Sequence, residues 1–445
     1  MKNCFIIFTL LFTGFTAKGQ IVTIPDVSFK NALLNHDPLI DTNADGEIQE
    51  SEAEAFIGLL NAAGMEITDL TGIEAFTNIT GLFVSTNELT SLDLSMNTSL
   101  TFLSCSYNEL TSIDISQNVL LDEFWCRFNN LTTLDISNNS VLRTVVCNDN
   151  QLGSLDITEN ELLVTLSAQN NEIPSLDLSM NAQLAGLEVT NNQLSVLDLT
   201  TNPLLSYLDF GHNTIAEIDL TQNVELKWLF VESNPLTVLD LRQNVLLDRL
   251  YASNLSISEL DVTSLVELDV IEFSGNDLLE IDLSYNTDVC SIDGNDCPML
   301  QYVNVQTGNN INLTNGCING NGGFRLLNNP VLAFVCVDNI AFAEENFLEV
   351  SPTATFIDDC TLNTSEKDIM LVSVHPNPVE NVFTIRSEVS LDNLEIHSVI
   401  GQLVYGRTLQ NKKIETIDIS NLSQGTYFVR ILAEESVQTF QIVKK

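Results

Sequence analysis

Basic residues are scarce in this chain. Seventeen lysines and arginines stand against 60 aspartates and glutamates, a formal net charge of −43 over 445 residues. So acidic a surface excludes nucleic acid and anionic membrane as partners, since both repel it. It suits cations, basic proteins or neutral glycans. Histidine is rarer still: His36, His212, His375 and His397 are the full set. No HExxH, GxSxG, GxxxxGK[ST] or CxxC occurs, so the sequence carries no common enzyme signature. Carboxylates are abundant but scattered, and no catalytic pair stands out.

Long apolar runs are missing, with one exception at the start. After Lys2, residues Phe5 to Phe15 are apolar, and Ala17 and Gly19 are small residues spaced for cleavage before Gln20. This reads as a secretory signal peptide over 1–19, too short to span a bilayer. No later stretch is long and apolar enough for a transmembrane segment, so an exported, soluble or surface-attached protein is expected. Charge is also uneven along the chain. Residues 20–365 hold 7 basic and 50 acidic side chains, and residues 366–445 hold 8 and 10. That change marks a domain boundary near 365.

What the chain has in excess is repetition. LTSLDLSMNTSLTFLSCSYNE (89–109) is followed by LTSIDISQNVLLDEFWCRFNN (110–130). The 21-residue unit starts at Leu89, Leu110, Leu131, Leu152, Ile173, Leu194, Ile215, Leu236, Ile257 and Leu278. A fixed period of this size means a solenoid. Leu-x-Leu alternation predicts two short extended segments per coil, with Leu92, Leu94, Leu100 and Leu103 and their equivalents inside. Position 17 runs Cys105, Cys126, Cys147, Ala168, Val189, Phe210, Val231, Ala252 and Phe273. It accepts any inward apolar residue, so the cysteines are expected as buried thiols.

Asn97, Asn108 and their equivalents end the extended segments and are expected to bond turn backbone groups. Leu255 and Leu265 each replace one such asparagine, which predicts a local irregularity. Position 5 is Asp in all ten units, from Asp93 to Asp282, between two inward leucines. Two readings stand for this outward row: hydroxyls and bend amides hold the carboxylates, or weakly bound cations do.

The blocks LxxLxCxxN and LxxLDLSxN resemble the leucine-rich repeat family, most closely its bacterial 21-residue subclass. The resemblance covers about residues 67–300 and implies a right-handed solenoid with a binding role. Residues 67–82, ITDLTGIEAFTNITGL, resemble the first repeat of internalin-type proteins. Before them, DTNADGEIQESE (41–52) fits D-x-N-x-D-G-x-I-x-x-x-E and resembles an EF-hand loop. The resemblance implies a structural calcium held by Asp41, Asn43, Asp45, the Glu47 carbonyl, Gln49 and Glu52, with a helix over about 51–62. Beyond Pro298 the repeat fades and Cys290, Cys297, Cys317, Cys336 and Cys360 cluster. Export permits disulfides among them, and an odd number leaves one over. The stretch from NNPVLAFVCVDN to FIDDC resembles the closing segment of related surface repeat proteins, and Cys336 with Cys360 is the favoured pair.

From about 366, alternating segments separated by turn residues predict about seven short strands and a sandwich. Pro376-Asn377-Pro378, the turn at Gly401, Gly425-x-Tyr427 and the basic end Lys444-Lys445 resemble the type A C-terminal sorting domain of type IX secretion. That implies a translocon and a sorting peptidase as partners, removal of the tail, and a cell-surface or outer-membrane-associated destination.

The expected fold class is therefore mainly β. A leucine-rich repeat solenoid (67–298) carries a small helical EF-hand-like cap (20–66) and a C-terminal cap and linker (299–365). A C-terminal immunoglobulin-like β-sandwich (366–445) follows. Both tryptophans, Trp125 and Trp228, fall on outward positions of the LxxLxCxxN strand. Tyr207, Trp228, Phe230 and Tyr251 are neighbours in adjacent coils, with Asp209, Glu232 and Arg249 around them; Trp125, Arg127 and Phe102 make a smaller group. These are the candidate ligand-binding residues, because exposed rings often mark interfaces, although strands favour aromatics in any case. The function expected is a secreted or cell-surface binding protein for a protein or glycan. The alternative is a polysaccharide- or protein-degrading surface enzyme or its accessory glycan-binding module.

Overall fold

The computed structural model describes residues 19–315, 317, 323–360, 373–375, 379–398, 403–433 and 436–445. Residues 1–18 of the expected signal peptide, Pro376, Asn377, Pro378 and Gly401 lie outside them. The chain divides into two units, one ending at Asp358 and one beginning at Asp359.

The first unit is a solenoid. One parallel sheet of fourteen strands runs along it, from Gly58–Asn61 to Glu349–Val350. Within the repeats each coil contributes three residues, such as Phe102–Ser104 and Glu123–Trp125, paired without a register shift. The middle residue of each strand points inward, so Leu103, Phe124, Val145 and Leu166 stack as fully buried neighbours. Cys105, Cys126 and Cys147 are buried beneath this sheet, and burial pushes the thiols of Cys105 and Cys147 up to about 12. They are inert core residues at neutral pH.

Two rows of asparagine hold the coils together. Asn118 donates from Nδ2 to the carbonyls of Leu94 and Asn97 in the coil before, at 3.1 and 2.9 Å. Asn108 donates to the carbonyls of Val84 and Cys105 and accepts the amide of Leu89. Buried backbone groups at the bends are thereby partnered by side chains. The irregularity expected at Leu255 and Leu265 is absent from the sheet: both leucines are buried, and Arg249–Tyr251 pairs with Val270–Glu272 in register. The front ladder carries the register past the missing amides.

On the opposite side the LxxLDL segments form no continuous ladder until Glu280–Asp282. From there Tyr302–Asn304, Phe334–Cys336 and Thr355–Ile357 make a second parallel sheet of four strands. The solenoid thus continues past Pro298, where fading of the repeat predicted its end. Every Asp at position 5 accepts the amide two residues on, as in Ser95 to Asp93 at 3.0 Å. Hydroxyls add to this at Ser137, Thr158, Thr200 and Thr263. These bonds hold the exposed carboxyls of Asp135, Asp156, Asp198 and Asp261 below their ordinary range.

At the N-terminal end α1 (Val27–Leu34) buries Phe29 and Leu33 and is capped by Asp26, which accepts the Phe29 amide at 2.9 Å. Helix α2 (Glu50–Ala55) is half the expected length. Gly58, at φ 113°, turns the chain and Gly58–Asn61 becomes the first strand of the sheet. At the other end Cys290 is bonded to Cys317, a pairing the spacing left open. Cys336 and Cys360 are each disulfide-bonded, and Cys297 is the buried free thiol left over.

The second unit has its own core, with Phe383, Ile385, Ile396, Val429 and Ile431 among its members. Its described residues hold five strands in one hydrogen-bonded antiparallel sheet, in place of about seven short ones. Val382–Ser398 and Leu403–Asp418 are long enough to do the work of two strands each. The first half of Val382–Ser398 pairs with Ser373–His375, and its second half with Gly425–Ala433.

Candidate binding face

The front sheet has one face in the core and one in solvent, so alternation along each three-residue strand fixes what is displayed. In four successive strands the outward residues are Tyr207 and Asp209, Trp228 and Phe230, Arg249 and Tyr251, then a buried Val270 and Glu272. The register sets them side by side. Phe230 and Tyr251 stack at 4.5 Å with planes 9° apart. Tyr207 lies 5.6 Å from Trp228 and 5.4 Å from Phe230, and the Arg249 guanidinium sits 4.6 Å above the Trp228 ring. Trp228 remains 37% exposed. The expected group is therefore one contiguous aromatic surface.

Carboxylates frame it. Asp209 accepts from the Thr190 hydroxyl and the Gly211 amide. Burial raises its pKa, and likewise those of Glu188, Glu232 and Glu272. Burial also raises the Tyr207 and Tyr251 phenols, with neighbouring carboxylates adding to it. Charge here is kept on the face against the cost of desolvation.

The smaller group is larger than expected. Trp125 packs edge-on against Phe102, which lies 6.4 Å from Phe83. Arg127 sits over the ring of Tyr107, and Tyr107 stacks on Phe128 at 4.5 Å. Tyr107 and Phe128 occupy position 19, where the backbone is left-handed, at φ 56° and 52°. Neighbouring coils place Asp149, Asn170 and Asn191 there, residues that tolerate this region better than bulky rings. The signal for this pair was two adjacent large aromatics at a position held mostly by Asp, Asn and Ser.

The loop at 41–52 folds on its own hydrogen bonds. Asp41 accepts the amides of Asp45 and Gly46, Asn43 accepts that of Asp45, and Asp45 that of Glu47. Gly46 supplies the positive φ of 80°. Glu52 accepts from the amides of Thr42, Asn43 and Gln49, and Glu47 pairs with Lys30 at 2.6 Å. The Gln49 side-chain amide reaches both oxygens of Asp45. Among the described residues no three His, Cys, Asp or Glu gather as a metal site. The oxygens are of the kind calcium takes, and Gln49 crosses the space between them.

In the tail, Gly425 opens the strand Gly425–Ala433 and Tyr427 donates its hydroxyl proton to the Ser423 carbonyl at 2.9 Å. Lys444 is only 8% exposed, and its ammonium donates to the Glu380 carbonyl and to Asn381. Lys445 is exposed.

Residues 373–445 match the secretion system C-terminal sorting domain family. The solenoid is similar to the functional domain of InlJ from Listeria monocytogenes, which includes a cysteine ladder. That match has a TM-score of 0.64 at 24% identity and covers 96% of this chain and 99% of that one. The internalin InlF of the same organism matches at 0.60 and 21% identity, over 75% and 96%. A leucine-rich repeat protein of Leptospira interrogans matches at 0.54 and 19% identity, over 67% and 79%. The first unit is an internalin-like leucine-rich repeat solenoid, and the tail is a type IX secretion sorting domain. One curated relative, an ulvan lyase of Nonlabens ulvanivorans, is 27% identical over 81 residues, which is 18% of this chain and 15% of that protein. The sorting domain marks the leucine-rich repeat unit for export to the cell surface. No helix among the described residues is long and apolar enough to cross a membrane.

Proposed function

We propose that this chain is an exported surface protein that captures a ligand on the front face of its solenoid and performs no catalysis. The observation that carries this is the contiguous aromatic surface of Tyr207, Trp228, Phe230 and Tyr251. Rings of this size held in solvent on a rigid sheet are costly unless something covers them. Rigid aromatic anchors beside an arginine are what binding hot spots are made of. A flat, open sheet face suits surface capture better than the enclosed clefts that most enzymes use. The match to a lyase spans too little of either protein to bear on activity. Probing protein and glycan arrays with the full chain tests the reading. Trp228→Ala with Tyr251→Ala is expected to abolish the strongest signal with circular dichroism unchanged; survival of that signal would make the rings mere stabilisers of the sheet.

The tail reads as a β-sandwich removed on export, and the 41–52 loop as an EF-hand-like calcium clamp. Asp41, Asn43, Asp45, Gln49, Glu52 and the Glu47 carbonyl supply oxygens suited to a hard cation once the Gln49 amide swings aside. Millimolar calcium should raise the melting temperature of the wild type, since an ion bound only by the folded state stabilises it. Asp45→Ala should remove that rise. An equal response in both proteins would leave the loop as a hydrogen-bonded turn.

A further inference from the structure

The register of the front sheet creates a pattern that no single coil shows. Directly paired residues run Glu188, Asp209, Phe230, Tyr251, Glu272, Asp293. Two stacked rings stand in the middle, with two carboxylates on either side. Beside the rings, one Glu232 carboxylate oxygen is buried without a hydrogen-bond partner. Among the described residues, no basic side chain forms an ion pair with Glu188, Asp209, Glu232 or Glu272. Asp293 shares Arg325 with Glu349.

We propose that this row docks an extended, cationic segment of a partner protein. Its apolar middle lies over Phe230 and Tyr251, and its basic side chains reach the carboxylates at both ends. The inference rests on the reading of this face as the binding surface and adds the chemistry of what it binds. Adjacent strands lie about 4.8 Å apart, so the row is roughly 24 Å long, the span of seven or eight extended residues at about 3.3 Å each. Charge complementarity selects the occupant. Residues 20–365 hold only 7 basic side chains against 50 acidic ones, so this unit has few cations of its own to spare for the row. A neutral oligosaccharide could cover the rings. It would also bury half-desolvated carboxylates further without neutralising them, which is unfavourable. A cationic segment covers the rings and supplies the missing charge in one contact.

The test uses the full chain and three probes followed by fluorescence anisotropy. One is an eight-residue peptide with two arginines at each end and, between them, two phenylalanines flanked by a serine on either side. The second has glutamates in place of the arginines, and the third is a neutral hexasaccharide. The cationic peptide should bind and weaken tenfold or more between roughly 50 and 500 mM salt, as screening removes its steering and pairing. Glu188→Gln with Glu272→Gln should weaken it about tenfold, and so should Phe230→Ala with Tyr251→Ala, with circular dichroism unchanged. The glutamate peptide should not bind. Hexasaccharide binding that needs the rings and ignores salt would overturn the cationic partner and leave the binding face standing. Cationic peptide binding that survives both double variants would be general attraction to an acidic surface and would overturn the proposal, as would no binding by either ligand. If the strongest array signal also survives loss of the rings, the binding-face reading fails with it.

Discussion

At the scale of single residues, carboxylates on the two sides of the coil have opposite environments. From Asp93 to Asp261 the Asp row at position 5 is exposed and bonded by nearby amides and hydroxyls, which lowers its pKa values; Asp240, paired with Arg242, is held at about 2. A lowered pKa contributes stability above the unfolded value, and that stability is lost as pH falls through the folded one. Glu188, Asp209, Glu232 and Glu272 are raised instead, so their contribution runs the other way. They favour the fold when protonated and oppose it as pH rises through their folded values. Glu232→Gln should therefore raise the melting temperature at pH 7, by roughly one or two degrees. The gain should fade toward pH 4, where the wild-type carboxyl is itself protonated. Melting curves across that range check it, and a gain that persists at pH 4 would place the effect elsewhere than in charge. A protein that keeps such charges on an exposed face gives up stability there, as binding surfaces commonly do.

At the scale of elements, the last strand of the tail locks the segment that follows Pro378. The Val379 amide donates to the Val443 carbonyl at 2.8 Å and the Lys445 amide to the Val379 carbonyl at 2.9 Å, while the buried Lys444 ammonium caps Glu380. Lys444→Met should cost the tail about 1–3 kcal/mol, because it removes the buried charged donor that holds the Glu380 carbonyl. It should speed amide exchange at Val379 and Lys445. Lys445→Ala, at an exposed position, should leave both unchanged. Equal exchange in all three proteins would show that the terminal lysines do not hold the tail together. The front strands were legible in the sequence because a 21-residue period fixes both their place and their face. The length of α2 was not, because the apolar run after Ala55 belongs to a strand that only the neighbouring coil creates. The extension of the solenoid past Pro298 was hidden for a related reason: backbone pairing carries on after the leucine pattern has decayed. The Cys290–Cys317 bond depends on how that decayed region folds back, and spacing says nothing about it.

At the scale of the whole molecule, each unit answers a separate need. Residues 373–445 carry the export address, and the solenoid supplies a long, rigid surface whose outward letters change from coil to coil. The four-residue aromatic surface was readable by aligning the units. The Tyr107–Phe128 pair and the burial of the carboxylates around the rings were not, since burial and stacking arise between coils. The central claim is that the front sheet is where a ligand sits. Hydroxyl-radical footprinting of the full chain, with and without the strongest array ligand, tests it directly, because radicals label exposed aromatic rings. The ligand should protect Tyr207, Trp228, Phe230 and Tyr251 and leave Tyr285 as reactive as before. Unchanged labelling of those four rings in the saturated complex would contradict the account.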